Sequence, residues 1–167
     1  MLIDNATTTG SNIKSIPILL SNFSKVAKTV SQLTLTKDNL NLIRKYDTLY
    51  IIGGDLLPFI KLISECNLKK VFLNYLKQGG IIIGESVGSM IFGKDLKWVY
   101  DIKKGTKPKY DIILKSYKGL GIVDINFFPH WNKISDSLKE KTLNYEQEFD
   151  IKITKVNDGE FFELDNI

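Results

Sequence analysis

The chain has 167 residues, 43% of them hydrophobic and 25% charged, which suits one soluble α/β-sized domain with its own core and excludes a fibrous or low-complexity protein. The net charge of +4 arises from 23 basic residues dispersed among 19 acids, with no basic stripe of the kind that binds nucleic acid. No apolar run reaches membrane-spanning length, the N-terminus has no secretory pattern, and the single cysteine, Cys66, fits a reducing compartment, so a cytoplasmic protein is expected.

Taken in order, Leu2-Ile3 reads as the tail of a strand, followed by a polar loop from Asn5 to Asn12. The spacing of Ile16, Ile18, Leu19, Phe23, Val26 and Val30 predicts a helix over 16–30, with Pro17 in its first turn. Ser31 to Leu35 alternates as a short strand, and the cap-like Thr36-Lys37-Asp38-Asn39 introduces a short helix. Asp47 to Ile52 predicts a strand ending at Gly53-Gly54-Asp55. Helices follow over Leu56–Cys66 and Leu68–Lys77, the second closed by Gln78-Gly79-Gly80. Cys66, without a cysteine or histidine partner in sequence, reads as structural.

Ile81, Ile82 and Ile83 form an unbroken β-branched run, the composition of a parallel strand buried on both faces. Gly84-Glu85-Ser86-Val87-Gly88 then fits Gly-x-Ser-x-Gly, and Ser89 to Phe92 predicts the first turn of a helix. Strand, Gly-x-Ser-x-Gly and helix in that order is the setting of a nucleophile elbow. There the Ser86 hydroxyl projects above the carboxyl edge of the sheet, and the Val87 N–H faces a developing oxyanion. The glycine-rich end of the preceding strand offers a second donor near Gly54–Asp55, because in open α/β sheets sites form beyond the carboxyl ends of strands.

Beyond the elbow, a loop rich in Lys, Gly and Pro runs from Lys103 to Lys109, and Ile112 to Leu114 predicts a strand. A further strand ends in Phe128-Pro129-His130-Trp131. Ser135 to Tyr145 reads as a helix with Leu138 and Leu143 inward, Phe149 to Val156 as a strand, and Asn157-Asp158-Gly159 as a hairpin-type turn into Phe161-Phe162. There is no internal repeat or linker, so residues 1–167 are expected to form one domain.

His130 is the only histidine, so any Ser–His mechanism must use it as general base. A carboxylate should orient the imidazole; between Ser86 and His130 the candidates are Asp95, Asp101, Asp111 and Asp124. One histidine and one cysteine leave too few nitrogen and sulfur ligands for a zinc-type site, so no metal is expected.

Together, Gly53-Gly54-Asp55, the elbow Gly84–Ser89 and Phe128-Pro129-His130-Trp131 resemble the peptidase E and cyanophycinase family of serine peptidases. Their order matches, and the 31 residues from Asp55 to Ser86 suit a helix–loop–strand crossover. The resemblance implies a class I glutamine amidotransferase-like fold, a three-layer αβα sandwich with a mainly parallel sheet and no required cofactor. It implies Ser86 as nucleophile, His130 as general base, and Gly54 and Val87 as oxyanion donors, with Asp55 in the substrate-binding motif. It places the third triad member at Asp101, with Asp95 as the second choice. The expected substrate is a small peptide, with no nucleic-acid or membrane partner.

This sequence departs from the family pattern in having Val87 where alanine is usual, and both ends look short, the first family strand being expected to be absent. A strand edge left exposed in that way would suit a homodimer partner. The arginine that the family associates with aspartyl specificity has no counterpart after His130, where Lys133, Lys139 and Lys141 are the cations. An esterase-type acyl hydrolase, and a non-catalytic family member that binds a ligand or oligomerises, share the same residues as alternative readings.

Overall fold

The computed structural model describes residues 1–6, 11–102 and 117–165. Its chain contacts separate into two compact units, Met1–Ser89 and Met90–Ile167. Each is described by itself.

The first unit is built on four parallel strands: β1 (Leu2–Ile3), β2 (Gln32–Leu33), β3 (Thr48–Ile51) and β4 (Ile81–Gly84), in the order β2-β1-β3-β4. Leu2 and Ile3 lie between two neighbours and are fully buried, as the middle strand of a covered sheet requires. Helix α1 (Ser11–Phe23) packs Ile16, Leu19, Leu20 and Phe23 against Leu2, Tyr50 and Ile52. Helix α2 (Leu56–Glu65) buries Leu56, Leu57, Phe59, Ile60 and Leu62, and α3 (Leu68–Lys77) buries Leu68, Phe72 and Tyr75. Both start on side-chain caps: Asp55 accepts from the Leu57 N–H at 3.0 Å, and Asn67 from the Lys70 N–H at 3.3 Å. A 3₁₀ segment, Leu40–Lys45, precedes β3.

Three expectations are corrected in this unit. The first helix starts at Ser11 and stops at Phe23, well short of Val30, so Pro17 falls inside it instead of in its first turn. It stops there because the chain tightens into i→i+3 turns: Lys25 N–H donates to the Asn22 carbonyl, and Val26 N–H to that of Phe23. Val26, counted in the helical spacing, is left exposed. The isoleucine run of β4 is not buried on both faces. β4 is the last strand of its four-stranded sheet, and Ile81 and Ile83 are 58% and 46% exposed.

A short helix, α4 (Val87–Met90), follows the elbow, two residues earlier than expected. In the second unit α5 (Lys97–Ile102), β5 (Asn126–Phe128), a 3₁₀ turn (Trp131–Lys133), α6 (Asp136–Phe149) and β6 (Ile153–Lys155) follow. β5 and β6 pair in parallel, with Phe128 opposite Lys155. Trp98 meets Phe128 at 5.5 Å between ring centroids, over a core that includes Leu96, Leu120, Val123, Phe127 and Ile153. The Glu146 carboxylate anchors β6 by accepting from the Ile153 N–H at 2.6 Å and pairing with Lys155.

Here too the boundaries move. The last helix runs on to Phe149, ended by Asp150 in the left-handed region (φ 50°), so the strand expected from Phe149 shrinks to 153–155. Leu143 points outward, 47% exposed, and Thr142 is the buried residue of that helix. The Asn157-Asp158-Gly159 turn forms, with Gly159 at φ 93°, but residues 161–165 form no strand. The loop 103–109, the strand expected at 112–114 and Asp111 lie outside the described residues.

Candidate active site

The elbow is set by how closely β3, β4 and α4 approach. Gly84 pairs in register with Ile51, and the Glu85 N–H still donates to the Ile51 carbonyl at 2.9 Å. The chain then reverses at once: Gly88 N–H returns to the Glu85 carbonyl at 2.7 Å, and the Ser89 N–H and hydroxyl reach the Ser86 carbonyl at 3.0 and 2.6 Å. A Cβ on Gly88 would lie 2.1 Å from the Ile51 oxygen, so no other residue lets the helix start against the strand. Ser86 itself sits at φ 52°, a left-handed conformation that costs a non-glycine residue on the order of 1–2 kcal/mol. That strained strand-to-helix turn presents the hydroxyl in the manner of a nucleophile elbow.

The Gly53-Gly54 loop lies beside it. A Cβ on Gly53 would fall 2.7 Å from the Ser86 Cβ and 3.2 Å from its Oγ, so the loop backbone runs directly past the Ser86 hydroxyl. Gly54 has φ 142°. The loop is held from outside by a chain of buried contacts. Asn5 binds Leu35 through both backbone groups at 2.8 Å, and the carbonyl of the next residue, Ala6, accepts from the Asp55 N–H at 2.7 Å. Asp4, also buried, takes hydrogen bonds from Gln32 and Thr34 at 2.5 Å each. The described contacts of Asp55 are thus those of a helix cap and loop anchor. Val87 opens α4, where the first N–H groups have no acceptor within the helix.

In the second unit, His130 lies just past the carboxyl end of β5, at φ 61°. Asp158 lies just past that of β6, and parallel pairing brings the two together: His130 Nδ1 is 2.5 Å from Asp158 Oδ1. The frame around them is tight. Trp131 N–H donates to the Val156 carbonyl, Val156 N–H to that of Phe128, and Asp158 N–H to Asn132 Oδ1. Lys133 pairs with the other Asp158 oxygen. The Lys133 ammonium first, and His130 second, hold the Asp158 carboxyl below the usual range. The His130 and Asp158 side chains are 49% and 30% exposed, so both are reachable from solvent.

The acids named from sequence are placed elsewhere. Asp101 accepts from Lys97 Nζ at 2.5 Å and from the Tyr145 hydroxyl at 3.0 Å, in a polar depression that Lys141 and Glu148 also line. Burial, and then the Asp101 bond, push the Tyr145 hydroxyl up to about 12. Asp95 caps the Lys97 N–H at 2.8 Å, and Asp124 pairs with Lys94 at 2.7 Å. Asp158, the carboxylate on His130, lies beyond the stretch between Ser86 and His130 in which an orienting acid is expected. The readable signal was that a parallel strand near residue 154 would carry its following turn to the edge where His130 sits.

Among the described residues no group of three His, Cys, Asp or Glu could hold a metal ion, and no helix is long and apolar enough to cross a membrane.

Comparison with known proteins bears on the whole chain. It is 24% identical over 120 residues to the uncharacterized peptidase Lmo0363 of Listeria monocytogenes, covering 72% of this chain and 54% of that protein. It is 28% identical over 92 residues to the uncharacterized peptidase Lin0382 of Listeria innocua, covering 55% and 43%. The chain thus spans about half the length of the curated relatives it matches. A 1.5 Å crystal structure of a Listeria monocytogenes EGD-e protein named for peptidase E shares the fold, with a TM-score of 0.64 at 19% identity over 86% of this chain and 73% of that one. The sequence model of peptidase family S51 matches residues 3–166, and the chain belongs to that family.

Proposed function

We propose that the protein is a serine-type, dipeptidase E-like exopeptidase that hydrolyses small peptides, with residues 1–167 working as one peptidase-like domain. The observation that carries the reading is Ser86, a non-glycine residue at φ 52° between β4 and α4, with glycine backbone packed against its side chain. Membership of a peptidase family supports it.

In this reading Ser86 Oγ attacks the peptide carbonyl carbon while His130 Nε2 takes the hydroxyl proton. The tetrahedral oxyanion is stabilised by the N–H groups of Gly54 and Val87. His130 then gives its proton to the departing amine, leaving an acyl ester on Ser86. A water molecule, deprotonated by His130, attacks the ester carbonyl; as the acyl–Oγ bond breaks, His130 returns that proton to Ser86 Oγ and the acid is released. Asp158 takes the orienting role that sequence reasoning assigned to Asp101. Its bond to Nδ1 fixes the tautomer that leaves Nε2 to exchange protons and stabilises the imidazolium. No cofactor enters any step. The single cysteine in 167 residues supports a cytoplasmic setting.

The test is covalent labelling with a fluorophosphonate, followed by dipeptide hydrolysis. Wild type is expected to label and to release free amino acids, and Ser86→Ala to do neither. A well-folded wild type that takes no label and cleaves no dipeptide would remove the peptidase reading in favour of a ligand-binding one.

A further inference from the structure

Glu85 precedes the nucleophile directly, and it is held more firmly than an exposed acid usually is. Its N–H donates to the Ile51 carbonyl at 2.9 Å and its carbonyl accepts from the Gly88 N–H at 2.7 Å, so its backbone is fixed by the elbow itself. Its carboxylate accepts from the Tyr50 hydroxyl at 3.0 Å. Tyr50 is half-buried, with its ring 4.9 Å from that of Phe23. Tyr50 pairs in register with Ile83, so Tyr50, Ile83 and Glu85 share one face of the sheet. Burial first, and the Glu85 charge second, hold the Tyr50 proton well above the ordinary tyrosine range. In this bond the Tyr50 hydroxyl is the donor and Glu85 the acceptor. Among the described residues no ion pair includes Glu85.

An anion in that position works against the proposed chemistry, because acylation builds negative charge on the carbonyl oxygen beside Ser86. The penalty disappears when the substrate brings a compensating cation. The same carboxylate repels an acidic group.

We propose that Glu85 is a specificity-determining residue that receives a cationic group of the peptide, an α-ammonium or a basic side chain, and disfavours acidic residues at the scissile bond. Tyr50 is the residue that positions it. The inference rests on Ser86 being the nucleophile.

The test uses a matched set of fluorogenic dipeptide substrates with lysine, glutamine or glutamate before the scissile bond, each with a free or an acetylated N-terminus. The readout is the ratio of kcat/KM between cationic and anionic members, which cancels any general loss of activity. Wild type should favour cationic members, and Glu85→Gln should lower that ratio about tenfold or more, the size expected for loss of a hydrogen-bonded charge partner. Glu85→Asp should restore part of it, and Tyr50→Phe should lower it less than Glu85→Gln. If acetylation lowers kcat/KM of all three members in wild type and not in Glu85→Gln, the recognised cation is the α-ammonium; if the lysine-over-glutamate ratio survives acetylation in wild type and falls in Glu85→Gln, it is the side chain. An unchanged charge ranking in Glu85→Gln, with normal fluorophosphonate labelling of wild type, overturns the role of Glu85 alone. Absence of any Ser86-dependent labelling overturns the nucleophile and this role with it.

Discussion

His130 Nδ1 and Asp158 Oδ1 lie 2.5 Å apart, joined across 28 residues of chain by the parallel pairing of β5 with β6. Nothing local in sequence links them. In the proposed mechanism this contact makes Asp158, in the turn after β6, the orienting carboxylate in place of Asp101, and the two can be tested against each other directly. Asp158→Asn should lower the rate of Ser86 phosphonylation by a fluorophosphonate by about 10²- to 10⁴-fold, since an amide favours the wrong imidazole tautomer. Asp101→Asn should change it by less than about threefold, because its described partners are Lys97 and Tyr145. The opposite ranking would return the role to Asp101.

Lys133 is the main reason the Asp158 carboxyl sits below its ordinary value of 3.8, with His130 contributing second. A depressed carboxyl contributes its charge-dependent pairing above the unfolded value and loses it as pH falls through the depressed one. Lys133→Met should therefore raise the pH at which the pair is lost on acidification, moving it toward the ordinary value. Carbon-detected NMR titration of the Asp158 carboxyl reads this. An identical midpoint in both proteins would show that Lys133 does not act on Asp158 in solution.

Gly88→Ala should be costly even though alanine favours helices. Its methyl group would meet the Ile51 carbonyl at 2.1 Å, and both sides of that contact are backbone. Overpacking of this kind costs about 1–3 kcal/mol, a fall in melting temperature on the order of 2–10 °C at this chain length. Calorimetry checks it; a melt matching wild type would mean that the close approach of β3 and α4 is not present.

The Tyr145 hydroxyl is raised from 10.0 to about 12, by burial and then by Asp101. The folded state keeps that proton longer than the unfolded chain does, so the contribution is present below about 10 and is lost as pH rises toward about 12. Tyr145→Phe should flatten the decline of thermal stability between those values while leaving the slope below pH 9 unchanged. Parallel slopes across the whole range would contradict the placement of Tyr145 on Asp101.

The elbow was legible because its requirements are local. Gly84, Ser86 and Gly88 at that spacing, after Ile81–Ile83 and before a helix, leave few other structures available. The helices over 56–65 and 68–77 were legible for a similar reason, through periodicity and the caps Asp55 and Asn67. The exposure of Ile81 and Ile83 was not, since whether a strand is flanked on both sides depends on strand order and not on its own residues. Asp158 was hidden by a turn motif, Asn-Asp-Gly, whose usual meaning is a hairpin. Its side chain meets His130 only through a strand pairing that no short window contains.

Ser86 and His130 share one further property: each is a non-glycine residue held at a left-handed φ, 52° and 61°. Glycine at position 86 would relieve about 1–2 kcal/mol of backbone strain against an entropic loss of about 0.5–1 kcal/mol. The two nearly offset, so in the proposed mechanism Ser86→Gly would remove the nucleophile at little or no cost to the fold, and stability alone does not hold a hydroxyl at this turn.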